Sequence, residues 1–189
     1  MLFLKGYPCM RKKILLNDGW DFSIDNDGKS IKVDIPHSWN GKDGQDGGND
    51  YKRTQAKYSR TFLKPALAYD EMLLLVFEGA NSVCDVFLNG EKILHHEGGY
   101  SRFFAEIMPS KLKDENLLEV LVDNRAYDTI YPDAADFTFY GGLYRDVYLV
   151  TLNTRHFVSH EYSSPSLKCT PRVEGNKGIL KVDVKANSD

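Results

Sequence analysis

The amino-acid sequence predicts an all-β protein, built as a two-layer β-sandwich or jelly roll. Short segments with strand-like patterns recur along the chain and are separated by turn signals, which is typical of these folds. Apolar residues show almost no 3.6-residue periodicity, so long helices are not expected. Asn89-Gly90 joins two of the segments and predicts a hairpin, because a type I′ turn needs positive φ at both central residues. The uneven spacing of the segments disfavours a barrel.

Strands are predicted wherever apolar residues alternate with polar ones or form a short continuous run. These segments are 20–24, 31–35, 57–63, 72–77, 83–88, 91–95, 101–107 and 117–122. Segment 72–77 is apolar throughout, as expected of a central strand. Residues 111–116 are charged and form at most one helical turn. Residues 163–166 are predicted to be a linker, and 179–184 to be a strand without a partner, which would leave an open edge.

The composition is that of an ordinary globular domain, and it excludes several classes of function. The formal net charge is −3, so no basic surplus exists to neutralise phosphates, and nucleic acid is not expected as a partner. No apolar run approaches the roughly 20 residues that span a bilayer, so no membrane partner is expected. The first residues do not match a signal peptide, because their apolar run is short and precedes Arg11-Lys12-Lys13. A cytoplasmic location is therefore favoured over a periplasmic one.

Neither a cofactor nor a metal ion is predicted. Cys9, Cys84 and Cys169 are widely spaced and form no CxxC pair, so free thiols are expected, with Cys84 in the core. His95 and His96 are adjacent on a predicted strand and therefore point to opposite faces, so they cannot share one ion.

A polar, glycine-rich loop is predicted at residues 38–52. Loops of this length inside a compact domain are usually functional or disordered. Its aspartates give it a superficial likeness to a calcium loop, but the spacing and the closing Glu of an EF-hand are missing. A position beside a sugar pocket is the favoured interpretation. Trp39, Tyr51 and Tyr100 could stack on sugar faces, although aromatic residues of a β domain are more often part of the core.

The rest of the chain is organised around residues 136–149. A Phe-Thr-Phe-Tyr cluster precedes Gly141-Gly142, and a strand-like alternation carrying Arg145 follows. The aromatic cluster should be packed, and the glycines allow a turn or a close approach where a Cβ would clash. Asp136, at the head of this stretch, is a candidate to bind a polar ligand, the alternative being a turn-capping Asp. For Arg145 a structural ion pair is the favoured interpretation.

No catalytic residue is assigned. The chain contains no nucleophile elbow, HExxH, P-loop or GxGxxG sequence in a usable context. A glycosidase-like carboxylate pair among Asp133, Asp136 and Asp146 is not favoured, because nothing in their spacing sets the required separation.

Several segments, in the right order, resemble the sugar-binding domain of glycoside hydrolase family 2. They are Leu-Asn-Asp-Gly-Trp-Asp-Phe at 16–22, Ile-Pro-His-Ser-Trp-Asn at 35–40, Phe-Glu-Gly-Ala at 77–80, Asp-Val-Phe-Leu-Asn-Gly at 85–90 and His-Glu-Gly-Gly-Tyr at 96–100. The stretch from Asp136 to Val147 is similar to the family's Asp-x-x-x-Tyr-x-Gly-Ile-x-Arg-x-Val sequence, found in β-galactosidases and β-glucuronidases, with Leu143 in place of Ile. The resemblance runs from about residue 15 to residue 152.

The resemblance implies a domain order of jelly roll, immunoglobulin-like sandwich and TIM barrel. Residues 11–160 would then form a galactose-binding-domain-like jelly roll, and residues 161–189 a linker and the first strands of a truncated immunoglobulin-like domain. In the family the catalytic glutamates lie on the barrel, which this chain lacks, and hydrolysis proceeds with retention through two carboxyl groups about 5–5.5 Å apart.

The resemblance also implies a function for the domain. Asp136 takes the place of a family aspartate that hydrogen-bonds the sugar, so it is the predicted substrate-binding residue. The expected partners are a β-glycoside and the absent catalytic domain of the same polypeptide. Two alternatives remain open: a freestanding carbohydrate-binding module, and a scaffold that only supports the barrel.

Overall fold

The structure is a computed structural model that describes residues 12–24, 28–42, 52–131, 139–158 and 167–187. In these ranges the chain forms β-strands and a single 3₁₀ turn at Pro109–Lys111. The strands are β1 (Lys13–Leu15), β2 (Trp20–Ile24), β3 (Ile31–Val33), β4 (Gln55–Leu63), β5 (Glu71–Phe77), β6 (Val83–Leu88), β7 (Glu91–Glu97), β8 (Phe103–Ile107), β9 (Glu115–Asp123), β10 (Val147–Asn153), β11 (Leu167–Glu174) and β12 (Lys177–Val184). Within these ranges no helix has the length and hydropathy needed to cross a membrane.

Two antiparallel sheets form the body of the molecule. The six-stranded sheet has the order β3-β2-β4-β9-β6-β7, and the four-stranded sheet has the order β1-β10-β5-β8. Non-consecutive strands are neighbours in both sheets, as in a jelly roll, where the chain crosses from one layer to the other. The predicted all-β sandwich is confirmed.

The core lies between the two sheets and is filled by one face of each. Trp20 and Tyr58 from the six-stranded sheet and Phe77 from the four-stranded sheet are among its largest fully buried side chains. The indole Nε1 of Trp20 donates a hydrogen bond to the Leu16 carbonyl oxygen at 2.6 Å, so its polar atom is satisfied inside the core. Cys84 is fully buried here, as predicted, and its burial raises the thiol pKa.

The predicted hairpin at Asn89-Gly90 is confirmed. Strands β6 and β7 pair in antiparallel fashion on either side of it. Asn89 has φ +54° and Gly90 has φ +86°, the positive pair that a type I′ turn requires.

Strand β3 ends two residues before the predicted end of that segment. The backbone N–H of Ile35 donates to the Asn17 carbonyl oxygen at 2.8 Å, in the turn before β2, instead of continuing the ladder. Asp34 accepts a hydrogen bond from the Gly19 N–H at 2.7 Å in the same turn. Because of these two contacts, Asp34 and Ile35 do not continue the pairing between β2 and β3.

The prediction that residues 179–184 form an unpartnered strand is wrong. They belong to β12, which pairs with β11 along its whole length, from Leu167 opposite Val184 to Glu174 opposite Lys177. The turn between the strands has Gly175 at φ +59°, a conformation suited to a tight reversal. A bridge between Phe157 and Ala186 connects this hairpin to the end of β10.

Candidate functional site

A cleft opens at one end of the sandwich, where the loops before β4, β6 and β8 meet the loop after β9. We call it the aromatic cleft. It has a volume of ≈ 350 Å³, open solvent included. The side chains that give it its chemical character are Arg53, Tyr100, Arg125, Tyr127, Tyr131 and Phe139. Tyr100 and Tyr131 are 57% and 92% exposed, so their ring faces are accessible to a ligand.

Three buried asparagines hold the backbone at residues 139–142, and we call them the asparagine clamp. Asn40 donates to the Phe139 carbonyl oxygen at 3.0 Å and accepts from the Gly141 N–H at 2.8 Å. Asn124 donates to the same carbonyl oxygen at 2.9 Å. Asn81 donates from its side chain to the Tyr140 carbonyl oxygen at 2.7 Å. Because each amide offers both donors and an acceptor, the clamp satisfies backbone groups that no strand pairs.

The two glycines of this segment are required by close contacts. A Cβ on Gly141 would collide with the indole ring of Trp39. Gly142 has φ +125°, and a Cβ there would strike the His37 carbonyl oxygen and the Tyr58 hydroxyl. The predicted close approach of the backbone at Gly141-Gly142 is therefore confirmed, and the neighbour is the protein itself.

A histidine–tyrosine pair lies directly beneath the glycines. His37 Nδ1 and the Tyr58 hydroxyl are hydrogen-bonded at 2.8 Å, and the His37 N–H donates to the Leu143 carbonyl oxygen at 2.8 Å. Burial lowers the pKa of His37 and raises the pKa of Tyr58, so both groups are neutral near pH 7. This neutral, hydrogen-bonded pair packs against residues 139–142 at Gly142.

An ion pair fixes the start of the loop after β9. Asp123 is 2% exposed and accepts hydrogen bonds from Arg125 Nε at 3.0 and 2.9 Å and from the Arg125 backbone N–H at 2.9 Å. Burial alone would raise the pKa of Asp123, but the hydrogen bonds from Arg125 and from Tyr127 outweigh it and lower the pKa. The guanidinium of Arg125 therefore forms an ion pair within the protein. The guanidinium of Arg53, another residue of the cleft, lies over the Phe139 ring, 4.2 Å from its centroid.

The interpretation of Arg145 as a structural ion-pair residue is wrong. Its guanidinium donates to the carbonyl oxygens of Glu78 at 3.2 Å and Tyr100 at 3.1 Å. The carboxylate of Glu78 is engaged by Arg102 Nε at 2.8 Å and by the Tyr148 hydroxyl at 2.6 Å. Arg145 therefore ties together the loops that carry Glu78 and Tyr100, one of which forms a wall of the aromatic cleft.

The predicted ligand-binding residue, Asp136, lies outside the described residues, as do Asp133, Tyr51 and residues 43–51 of the predicted loop. Of the three aromatic residues considered for stacking, Tyr100 lines the cleft. Trp39 instead packs against Phe22, with ring centroids 6.3 Å apart, so it is part of the support.

The two adjacent histidines lie on opposite faces of β7, as predicted. His95 is exposed and bonded to Asp85 at 2.6 Å, whereas His96 is buried and stacked on Phe103 with ring centroids 4.0 Å apart. Among the residues described, no group of three His, Cys, Asp or Glu side chains could hold a metal ion.

The asparagine clamp was missed by the sequence analysis. Asn40 was assigned to a polar loop and to the Ile-Pro-His-Ser-Trp-Asn segment of the family resemblance, and Asn81 and Asn124 were given no role. Their shared signal is weak: each is a short amide in a segment between strands, a position that also suits an ordinary turn. Exposed aromatic rings, such as those of Tyr100 and Tyr131, are suited to stack on a polar ring such as a sugar.

The fold and cleft define a jelly-roll β-sandwich with an aromatic-lined cleft at one end, and the family that it matches is a sugar-binding domain. The family described as "Glycosyl hydrolases family 2, sugar binding domain" matches residues 48–153. The β-glucuronidase of Bacteroides fragilis is 36% identical over 171 residues, which are 88% of this chain and 24% of that protein. The β-galactosidase of Thermoanaerobacter pseudethanolicus is 30% identical over 145 residues, 75% of this chain and 19% of that protein.

A solved structure has the same fold. The FMN-binding β-glucuronidase of F. prausnitzii L2-6 superposes with a TM-score of 0.83 at 35% identity, covering 94% of this chain and 28% of that one. The chain therefore belongs to the sugar-binding domain family of the family 2 glycosyl hydrolases. It spans 19% to 28% of the length of these three relatives.

Proposed function

We propose that this chain is the non-catalytic N-terminal carbohydrate-binding domain of a retaining β-glycosidase of the β-galactosidase or β-glucuronidase type. In this proposal it lends residues to an active site that a TIM barrel of the same polypeptide completes. The observation that carries the proposal is family membership over a chain that spans only 24% and 28% of two relatives whose names describe β-glucuronidases. Alone, the chain is expected to be inactive.

Asp136 is proposed to hydrogen-bond the sugar. The support is its place in the sequence, between Tyr131 and Phe139, both of which line the aromatic cleft. The asparagine clamp fixes the backbone of Phe139, three residues after Asp136, through two hydrogen bonds of 3.0 and 2.9 Å. A fixed anchor beside a binding residue reduces the entropy lost when the sugar binds.

We further propose the division into a jelly roll at 11–160 and the first strands of an immunoglobulin-like domain at 161–189. The β11–β12 hairpin supports it because the register places all its apolar side chains but one on one face. That face consists of Leu167, Cys169, Pro171, Val173, Leu180, Val182 and Val184. All of them are exposed, as expected of a sheet whose covering layer is made by later strands.

A thiol-labelling experiment tests this division. Cys169 lies on the apolar face of the hairpin and is exposed, whereas Cys84 is buried and serves as the internal control. We expect rapid modification of Cys169 in the 189-residue chain and strong protection in the complete gene product. Equal rates in the two proteins would contradict the proposed domain.

The role of Asp136 is tested in the complete gene product with p-nitrophenyl β-glucuronide and p-nitrophenyl β-galactoside. Asp136→Asn is expected to reduce kcat/KM for the better substrate by at least tenfold, since a lost hydrogen bond to a charged group weakens binding by about 1.5–3 kcal/mol. Asp133→Asn, a matched change in the same stretch, is expected to keep the wild-type value. Equal kcat/KM values for the two variants would refute the role of Asp136.

The second candidate is a freestanding carbohydrate-binding module. The observation that favours it is the exposure of Tyr100 and Tyr131, at 57% and 92%, which gives the cleft stacking surfaces of its own. Intact mass of the natural gene product separates the two functions. A mass near 21.5 kDa would support the module, and a mass several-fold larger would support the glycosidase domain.

A further inference from the structure

Residues 98–101 connect β7 to β8 and present Tyr100 to the aromatic cleft. We call this segment the Tyr100 loop. Its residues belong to no strand, and the Tyr100 ring is 57% exposed. Loops on a protein surface are usually more mobile than the strands that they connect. The backbone of this loop is instead held by side chains from other parts of the fold.

Two adjacent residues after the clamped glycines hold the loop by its backbone. The Tyr144 hydroxyl donates a hydrogen bond to the Gly99 carbonyl oxygen. The guanidinium of Arg145 donates to the Tyr100 carbonyl oxygen at 3.1 Å. Both side chains are packed closely themselves, because a Cβ at Gly79 would lie 2.9 Å from the Tyr144 hydroxyl oxygen and 3.2 Å from the Arg145 Cδ. The two carbonyl groups on either side of the Tyr100 N–Cα bond are therefore held by fixed donors.

The first residues of the loop are held from another direction. The ring nitrogen Nε2 of His96 donates to the Gly98 carbonyl oxygen at 3.0 Å. The Gly98 N–H donates to the Ser82 carbonyl oxygen at 2.9 Å. A Cβ at Gly99 would collide with the side chain of Asn81, so the two residues are in close contact. With its polar backbone groups satisfied in this way, the loop keeps one conformation.

The amide and hydroxyl side chains in the cleft lining that we describe are engaged by the protein itself. Asn124 accepts a hydrogen bond from the Thr54 N–H at 2.7 Å and donates to the Phe139 carbonyl oxygen at 2.9 Å. The Ser82 hydroxyl donates to the Asp123 carbonyl oxygen at 3.1 Å. A sugar ring needs a hydrogen-bonding partner for most of its hydroxyl groups, since leaving one unmade is costly. These side chains are not suited to supply such partners.

Aromatic ring faces are what the cleft offers to a ligand. Apart from open solvent, its cavity volume is ≈ 20 Å³, room for about one water molecule. A ligand ring must therefore lie at the rim, where Tyr100 and Tyr131 are 57% and 92% exposed. A flat ring with few hydroxyl groups stacks on such faces and asks little of the hydrogen-bonding groups beneath. This description fits an aromatic ring better than a sugar.

We propose that Tyr100 is a specificity-determining residue that stacks on an aromatic leaving group of the glycoside, and that Tyr144 is its positioning residue. The proposal rests on the proposed function, in which Asp136 bonds the sugar and another part of the polypeptide completes the pocket. Tyr144 acts through the carbonyl group of Gly99, the residue before Tyr100. A ring that is held in place before binding loses less entropy when the ligand arrives.

Kinetics of the complete gene product on two substrates test the role of Tyr100. The substrates are the p-nitrophenyl and methyl β-glycosides of whichever sugar it hydrolyses better, galactose or glucuronic acid. Tyr100→Ala should lower kcat/KM for the p-nitrophenyl glycoside by about threefold to tenfold and leave the methyl glycoside unchanged, because only the first has a ring to stack. Tyr100→Phe keeps the ring and should keep the wild-type ratio of the two values.

A second set of variants tests the positioning role of Tyr144. Tyr144→Phe removes only the hydroxyl group and should lower the p-nitrophenyl to methyl ratio of kcat/KM by about twofold or more. Tyr148→Phe is the matched control, since it removes a tyrosine hydrogen bond to Glu78 of 2.6 Å, and it should leave the ratio unchanged. When Tyr100→Ala is already present, Tyr144→Phe should not change the ratio further, because residues that act through one another are not additive.

Each other result overturns the inference in a recognisable way. Equal losses for both substrates in Tyr100→Ala would assign the ring to the sugar and refute the leaving-group contact. Hydrolysis of both substrates with an unchanged ratio would refute the role of Tyr100 and leave the proposed function standing. An effect of Tyr144→Phe that persists in the absence of the Tyr100 ring would refute its positioning role. A complete gene product that hydrolyses none of these glycosides would refute the proposed function and the inference together.

Discussion

The side-chain amide of Asn40 donates a hydrogen bond to the carbonyl oxygen of Phe139 at 3.0 Å, across 99 positions of sequence. Asn40 lies between β3 and β4, and Phe139 lies between β9 and β10. Neither residue belongs to a strand. The contact is fully buried, so it lies in a medium where an unmade hydrogen bond is costly. It explains how a loop without strand pairing keeps one conformation beside the aromatic cleft.

Replacing Asn40 should destabilise the domain. Asn40→Ala removes the partner of the Gly141 N–H and one of the two donors to the Phe139 carbonyl oxygen, which keeps Asn124; leaving a buried backbone group unsatisfied costs about 1–3 kcal/mol. Urea unfolding measures the loss. Asn153→Ala, which removes a hydrogen bond to Asp70 at an exposed site, should change the free energy of unfolding much less. Similar losses for both variants would argue against the clamp.

A methyl group at Gly142 should also destabilise the domain. Gly142→Ala places a Cβ against the His37 carbonyl oxygen at a φ of +125°, and overpacking of this kind costs about 1–3 kcal/mol. The matched change Gly178→Ala meets no atom within 4 Å and should be nearly neutral. Thermal unfolding of the two variants provides the comparison, and a neutral Gly142→Ala would show that the segment can move aside.

Stability should depend on pH through His37. Burial lowers the pKa of His37 from its ordinary 6.5 in the folded state, so the unfolded chain binds the proton at a higher pH. The contribution of His37 is therefore present above about pH 6.5 and is lost as the pH falls through the lowered value. His37→Asn should reduce the slope of unfolding free energy against pH between 7.5 and 5.5, measured by urea titration.

The opposite change is expected for His95, which serves as the control. Hydrogen bonds that His95 donates to the carboxylates of Asp85 and Glu97 raise the pKa of His95, so its contribution is present below pH 6.5 and is lost as the pH rises through the raised value. His95→Gln should therefore make the slope steeper. A change of the same sign in both variants would contradict the assignment.

Arg125 should stabilise the buried carboxylate of Asp123. Arg125→Met leaves that carboxylate without its guanidinium donors, and losing hydrogen bonds to a charged group costs about 1.5–3 kcal/mol. The pKa of Asp123 should rise toward its ordinary value, so the part of the stability that this carboxylate loses during acid titration should become smaller in the variant. Arg172→Met, which breaks an exposed pair with Glu174, should change stability by about 0.5 kcal/mol or less.

The strands were predictable from the sequence because their signals are local. Alternation in β2 and β6, the apolar run of β5 and the Asn89-Gly90 turn each report a period or a φ requirement within a few residues. The prediction that residues 179–184 had no partner was wrong because strand pairing is not local. In β11 apolar residues do alternate with polar ones, but Pro171 lies inside the segment, and proline is uncommon in the interior of a strand.

The residues that hold the cleft loops in place could not be predicted either, because their partners are also distant in the sequence. The side chains of Asn40, Asn81 and Asn124 bond to backbone atoms that are 99, 59 and 15 positions away. A short amide between two strands has the same local sequence context whether it caps a turn or bonds to a distant loop. Arg145 likewise binds carbonyl oxygens 67 and 45 positions away, and such acceptors leave no mark in a sequence. The proposed role of Asp136 remains a prediction.

The central claim is that this chain supplies part of a sugar pocket which another part of the polypeptide completes. Calorimetric titration of the 189-residue chain and of the complete gene product, each with a simple β-glucuronide and a simple β-galactoside, tests it most directly. The account predicts weak binding to the 189-residue chain and tighter binding of one sugar to the complete protein, reduced by Asp136→Ala. Micromolar binding by the 189-residue chain alone, abolished by Asp136→Ala, would contradict it and establish a freestanding module.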